Sequence, residues 1–134
     1  MCNFRVPSNP GTYLAVFNEK ERRGAMKVVL TVWENRISPV ADSASQLLVV
    51  DVRNRIIRKR HTEHFDLESV FYRARRLSDL EVKIFICGAI SDFFASLLEG
   101  YGIRLIPFIC GEAEEVLEAY LEDSLLCPKF MMTG

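Results

Sequence analysis

The signatures that would announce an NTP or dinucleotide site are missing from this 134-residue chain, which has no GxGxxG run and no Walker A loop. Long apolar runs are missing too. None approaches the ~20 residues that cross a bilayer, so no membrane association is expected. The opening stretch, MCNFRVPSNPGTYLAVFNEKERRGA, lacks the basic start and long apolar core of a secretory signal. A cytoplasmic protein is expected. Cysteine is sparse and unpatterned: Cys2, Cys87, Cys110 and Cys127 follow neither CxxC spacing nor a disulfide framework, so free thiols are expected. The two histidines, His61 and His64, fall near a predicted strand end and read first as solvated side chains. Charge of one sign is also lacking. A formal net charge of −1 leaves no net electrostatic footprint for nucleic acid, and no nucleic-acid partner is expected.

What is present is ordinary globular usage, with 49% apolar and 26% charged residues. One domain of this length buries roughly two thirds of its unfolded surface, and needs neither metal nor disulfide to fold. The charges are nonetheless unevenly placed. Basic residues crowd 53–60 (RNRIIRKR) and 73–76 (RARR), while 112–123 (EAEEVLEAYLED) is acidic. Such runs usually mark solvated faces, with a functional basic patch as the alternative.

Residues 1–25 combine turn chemistry (PSNPG) with a polar stretch ending on glycine, and read as an N-terminal extension. Regular patterning starts at Met26. MKVVLTVW (26–33) is β-branched and apolar, as in a strand buried on both faces. QLLVVDV (46–52) makes a second strand, and a turn at Asn54 returns RIIRKRH (55–61) as an antiparallel edge strand. The segment 65–80 has Leu67, Val70, Phe71, Ala74 and Leu77 at helical spacing, with Asp66 as candidate N-cap. VKIFIC (82–87) is a strand, followed by a helix over 91–102 capped by Ser91 and stopped by Gly102. IRLIPFIC (103–110) is a strand in which Pro107 requires an edge or bulge, and the last helix spans 111–125. The expected product is an α/β fold, a three-layer α/β/α, ribonuclease H-like arrangement. Its sheet is five-stranded and mixed, of order 3-2-1-4-5, with strand 2 antiparallel. The domain occupies 26–125, followed by a tail over 126–134.

Two apolar runs end on Cys-Gly, at 87–88 and 110–111. On parallel neighbouring strands, Cys87 and Cys110 would both lie at the carboxyl edge, where open α/β sheets bind ligands. Three readings compete: inert buried thiols, a metal contact, and thiol chemistry. Two thiols alone leave zinc or an iron–sulfur cluster short of ligands; Cys127, Met131 and Met132 would add soft donors only if the tail folds back. Ser38 and Asp42 fall in the loop after the first strand, near the same edge, either as ligand contacts or as a rigid turn and a cap. The sheet order resembles that of ribonuclease H-like nucleases, but their acidic metal cluster has no counterpart here, since MKVVLTVW carries no acid.

The ordered series RISP, ICG.I, LLE..GI and G..EEVLEAYL, running through roughly 26–123, resembles the dinitrogenase iron-molybdenum cofactor biosynthesis family. The resemblance implies a ribonuclease H-like fold without nuclease activity, and a non-enzymatic carrier or accessory domain. Its cargo would be an iron–sulfur or iron–molybdenum cofactor precursor, exchanged with a metallocofactor donor or acceptor protein. With such cargo held at the carboxyl edge of the sheet, the metal contacts expected are Cys87 and Cys110 and the cofactor contacts Ser38, Asp42, Gly88, Ser91 and Gly111. The chain departs from that pattern at two points. Cofactor-handling relatives commonly carry histidine after the Ser-Pro of the first loop, where this chain has Val40-Ala41-Asp42; their GGIG turn is GAIS here. The alternatives are a metal-free interaction or regulatory module, using the basic hairpin 53–60 and helix 66–79, and a thiol redox protein working through Cys87 and Cys110.

Overall fold

A computed structural model describes residues 24–66, 69–122 and 128–132. The expected extension over 1–25 lies almost wholly outside them, as do Cys2, Leu67 and Cys127. The chain forms β1 (Ala25–Trp33), β2 (Arg36–Ile37), β3 (Gln46–Arg53), β4 (Ile56–His64), α1 (Val70–Asp79), β5 (Ile84–Ile86), α2 (Asp92–Gly100), β6 (Arg104–Ile106) and α3 (Ala113–Leu121).

β1 is central because both of its edges are paired. It runs antiparallel to β3 from Ala25↔Arg53 to Val32↔Gln46, and parallel to β5 with Val29 opposite Phe85. A strand flanked on both sides and covered on both faces has no wet side, which is why its sequence shows a continuous apolar run. Its side chains divide by parity: Met26, Val28, Leu30 and Val32 enter one core with α3, and Val29 enters the other with the inner faces of α1 and α2. The sheet path β4-β3-β1-β5-β6 has the expected order, and the fold is the expected three-layer α/β/α.

Four local features differ from expectation. The sheet has a sixth strand: Glu34 and Asn35 both take positive φ (48° and 68°), folding β2 back on the end of β1 as a tight hairpin. The first helix starts later than 65, capped by Ser69, whose Oγ accepts from the Phe71 amide, and not by Asp66. Its buried stripe is therefore Arg73, Ala74 and Leu77, and Phe71 faces outward. β6 stops at Ile106, because Pro107 has no amide hydrogen to continue the ladder and Phe108 takes φ 62°. Past α3, the segment 128–132 folds back. Phe130 is buried in the α3-side core, and Met131 bridges to Ile109.

Candidate functional site

The carboxyl edge of the sheet is closed by three loops and the returning segment. Loop 38–44 leaves β2, loop 87–91 joins β5 to α2, loop 107–112 joins β6 to α3, and 128–132 lies beside the last of these. Backbone hydrogen bonds lace them together. The Ala41 amide donates to Ala89 O (2.8 Å) and the Ala89 amide to Pro39 O (2.8 Å), so the first loop runs as a short parallel extension of the second. The Phe108 amide donates to Gly88 O (2.9 Å), the Ile37 amide to Gly111 O (2.9 Å), and the Cys110 amide to Phe130 O (2.8 Å). Gly88 is required by this closeness: a Cβ there would stand 2.5 Å from both Ser38 O and Pro39 O. Gly111 is required by its backbone, at φ 121°.

Asp42 and Ser91, expected from sequence among the cofactor contacts, meet each other. The Asp42 carboxylate accepts the Ser91 amide at 2.9 Å and the Ser91 hydroxyl at 2.5 Å, and Ser91 Oγ in turn accepts the Phe94 amide at 3.1 Å. This chain fastens the first loop to the N-terminus of α2, combining an N-cap with a negative charge where the helix dipole favours one. Ser38 is buried, and its amide donates to Thr31 O (2.9 Å).

The two thiols occupy different surroundings. Cys87 is fully buried in the core on the α1/α2 side, where burial first and the Asp42 charge second push its thiol pKa well above the ordinary value. Its backbone is bracketed by β6 and the turn beyond, donating to Ile106 O and accepting from the Ile109 amide. Cys110 lies past that turn, is partly exposed, and has Sγ 3.9 Å from Lys129 O. Through Phe130 it adjoins the core on the other face of the sheet. β6 ends at Ile106, so Cys110, expected at the strand terminus, stands beyond it. Among the described residues, no three His, Cys, Asp or Glu side chains are grouped to hold a metal. His61 is exposed on β4, 3.7 Å from Glu63, and His64 is exposed as well.

Two contributors to the site were not among the residues expected from sequence. Arg73 belongs to the basic run RARR, yet it is buried beneath the first loop, donating to Ala44 O (2.6 Å) and Ala41 O (3.4 Å) with its guanidinium 4.8 Å over the Phe65 ring. Burial pushes its pKa down, and Asp42 and Asp66 oppose that shift. Its place in the stripe 70, 73, 74, 77 was the available signal. The second is Thr31, fully buried on β1, whose hydroxyl has no hydrogen-bond partner among the described residues.

No protein-family pattern matches the chain, and no curated protein matches it. Solved structures do. The protein PH0822 superposes with a TM-score of 0.71 at 16% identity, covering 75% of this chain and 92% of that one. A "putative dinitrogenase" from Methanocaldococcus jannaschii gives 0.61 at 16% identity over 75% and 91% of the two chains. The apo form of the orange protein from Desulfovibrio gigas gives 0.60 at 15% identity over 81% and 93%. At such identities the likeness is one of fold.

Proposed function

We propose that this chain is a non-enzymatic accessory or carrier domain that takes an iron–sulfur-containing cofactor or its precursor as cargo and exchanges it with a protein partner. The observation that carries the reading is the fold, shared with a protein described as a "putative dinitrogenase" and with the orange protein. The carboxyl edge supports it secondarily, because loops from β2, β5 and β6 converge there. In this reading Cys110 is the first contact, since a thiolate is the metal-binding form and Cys110 is the more accessible of the two thiols among the described residues. Gly111 beside it supplies the backbone turn at φ 121° that follows Cys110. Cys87 and Gly88 join only if loop 38–42 lifts, and Ser38, Asp42 and Ser91 then regulate access by holding that loop down.

Anaerobic reconstitution with iron and sulfide, read by metal analysis and absorption spectra, tests the assignment. Stoichiometric loading is expected in the wild type, lost in Cys110→Ser and reduced in Cys87→Ser. Loading that is unchanged in Cys110→Ser removes it as the contact. Absence of loading, with a control cluster protein reconstituted alongside, rejects iron–sulfur cargo.

A metal-free interaction module is the second reading, favoured by one specific observation. Phe71, Tyr72 and Phe93 stand 59%, 66% and 52% exposed on α1 and α2, with the Phe71 and Phe93 rings in edge-to-face contact at 5.2 Å. Retention of a partner in a pull-down by the wild type and its loss in Phe71→Ser/Phe93→Ser would support this reading.

A further inference from the structure

At the opposite end of the sheet from the loops just described lies an open groove of about 410 Å³, lined by Lys27, Arg53, Arg58 and Lys83, with Asp51 and Glu81 at its sides. Its four cationic and two anionic side chains leave a surplus of two positive charges. Asp51, whose carboxylate is 4.0 Å from Lys27 Nζ, is already counted in that balance. Arg53, Arg58 and Lys83 have no side-chain partner among the described residues.

The backbone shows how they converge. β3 and β4 pair as Val52↔Ile57 on one side of an irregularity and Asp51↔Lys59 on the other, so Arg58 is the extra residue of a β-bulge. Bulges on edge strands redirect a side chain, and this one brings Arg58 to the lining of the groove beside Arg53 and Lys27. Lys83 reaches it from the turn before β5, whose position is fixed by the Lys83 amide donating to Lys27 O at 2.9 Å.

We infer that this groove binds a compact polyanion of the di- or triphosphate type. Two guanidiniums and two ammoniums match several phosphoryl oxygens at once, Arg by paired donors and Lys as a point charge. Among the described residues no aromatic side chain lines the groove to stack a nucleobase, so recognition rests on the phosphate chain. The site is independent of the carrier reading.

Calorimetric titration of the full chain with tripolyphosphate at physiological ionic strength tests the inference, with sulfate at matched ionic strength as control. Saturable one-to-one binding is expected, weakened about tenfold in Arg58→Ala and in Lys83→Ala, as loss of one charge-assisted contact implies. Lys59→Ala, which removes a cation of the same hairpin outside the lining, is expected to bind as the wild type does. Adenosine triphosphate binding no tighter than tripolyphosphate fits recognition of the phosphate chain. The inference is overturned by the absence of saturable binding, or by equal loss in Lys59→Ala and Arg58→Ala. Capture of single-stranded RNA or an acidic peptide without tripolyphosphate also overturns it. Should Arg58→Ala fail to fold, Arg53→Gln and Lys83→Gln carry the same comparison.

Discussion

Gly88→Ala is the most informative single change at the carboxyl edge, because what it meets is backbone. The new methyl would stand 2.5 Å from two carbonyl oxygens, Ser38 O and Pro39 O, where ordinary contact starts at 3.4 Å. Neither oxygen belongs to a side chain that can rotate away, so loops 38–44 and 87–91 must part by roughly 1 Å, a displacement in the range where overpacking costs about 1–3 kcal/mol. Parting them also strains the reciprocal bonds between Ala89 and Pro39 and between Ala41 and Ala89, each worth about 1 kcal/mol net. The expected loss is therefore about 2–5 kcal/mol, a large share of the ~5–15 kcal/mol that typically holds a domain folded. Urea unfolding should show a midpoint lower by about 1–2 M, and amide exchange should quicken first at Ala41 and Ala89. Gly100→Ala is the control: it lies in α2 with nothing within 4 Å of its Cβ, and should gain up to about 1 kcal/mol from helix propensity. A loss under about 0.5 kcal/mol in Gly88→Ala, with unchanged exchange, would refute the view that these loops are clamped against each other.

Thr31→Val should stabilise the protein by about 1 kcal/mol, since it removes a buried hydroxyl without a partner and keeps the shape; a destabilised variant in thermal melts would mean the hydroxyl is satisfied in solution. Arg73→Met should cost about 2–4 kcal/mol by leaving Ala44 O without its guanidinium donor and Ala41 O with the Ala44 amide alone, and a melt equal to the wild type would refute that anchoring. Glu63 is held below its ordinary 4.5 chiefly by the hydrogen bond from Arg76 Nε at 2.8 Å. Its contribution is whole above the unfolded value and fades as pH falls through the lower folded one, with a size under ~1 kcal/mol because Arg76 is half exposed. Glu63→Gln should flatten that acid slope, and parallel acid titrations of the two proteins would exclude the pair. In Cys2→Ser/Cys127→Ser protein, iodoacetamide at neutral pH should label Cys110 and spare Cys87 until unfolding, because burial keeps the Cys87 thiol protonated and sealed; prompt labelling of Cys87 in peptide mass spectra would mean the first loop opens readily.

The sequence by itself determined the layers and the sheet order. Local rules suffice for these: VVLTV marks a strand with no wet face, RIIRKRH marks an edge, and Ser91 and Gly102 bound a helix wherever they occur. Tertiary structure decided the contents of the carboxyl edge. Pro107 was legible as an edge or bulge position within a longer strand, but where Cys110 comes to lie depends on Phe108 turning at positive φ and on Phe130 returning to hold the Cys110 amide. Arg73 could be read as solvated charge until loop 38–44 supplied the carbonyls that make its burial tolerable. The bulge at Arg58 is likewise invisible along the chain, because it is a mismatch between two strands. Periodicity reports which face a residue turns to its neighbours; which distant groups meet it there is fixed only when the loops close.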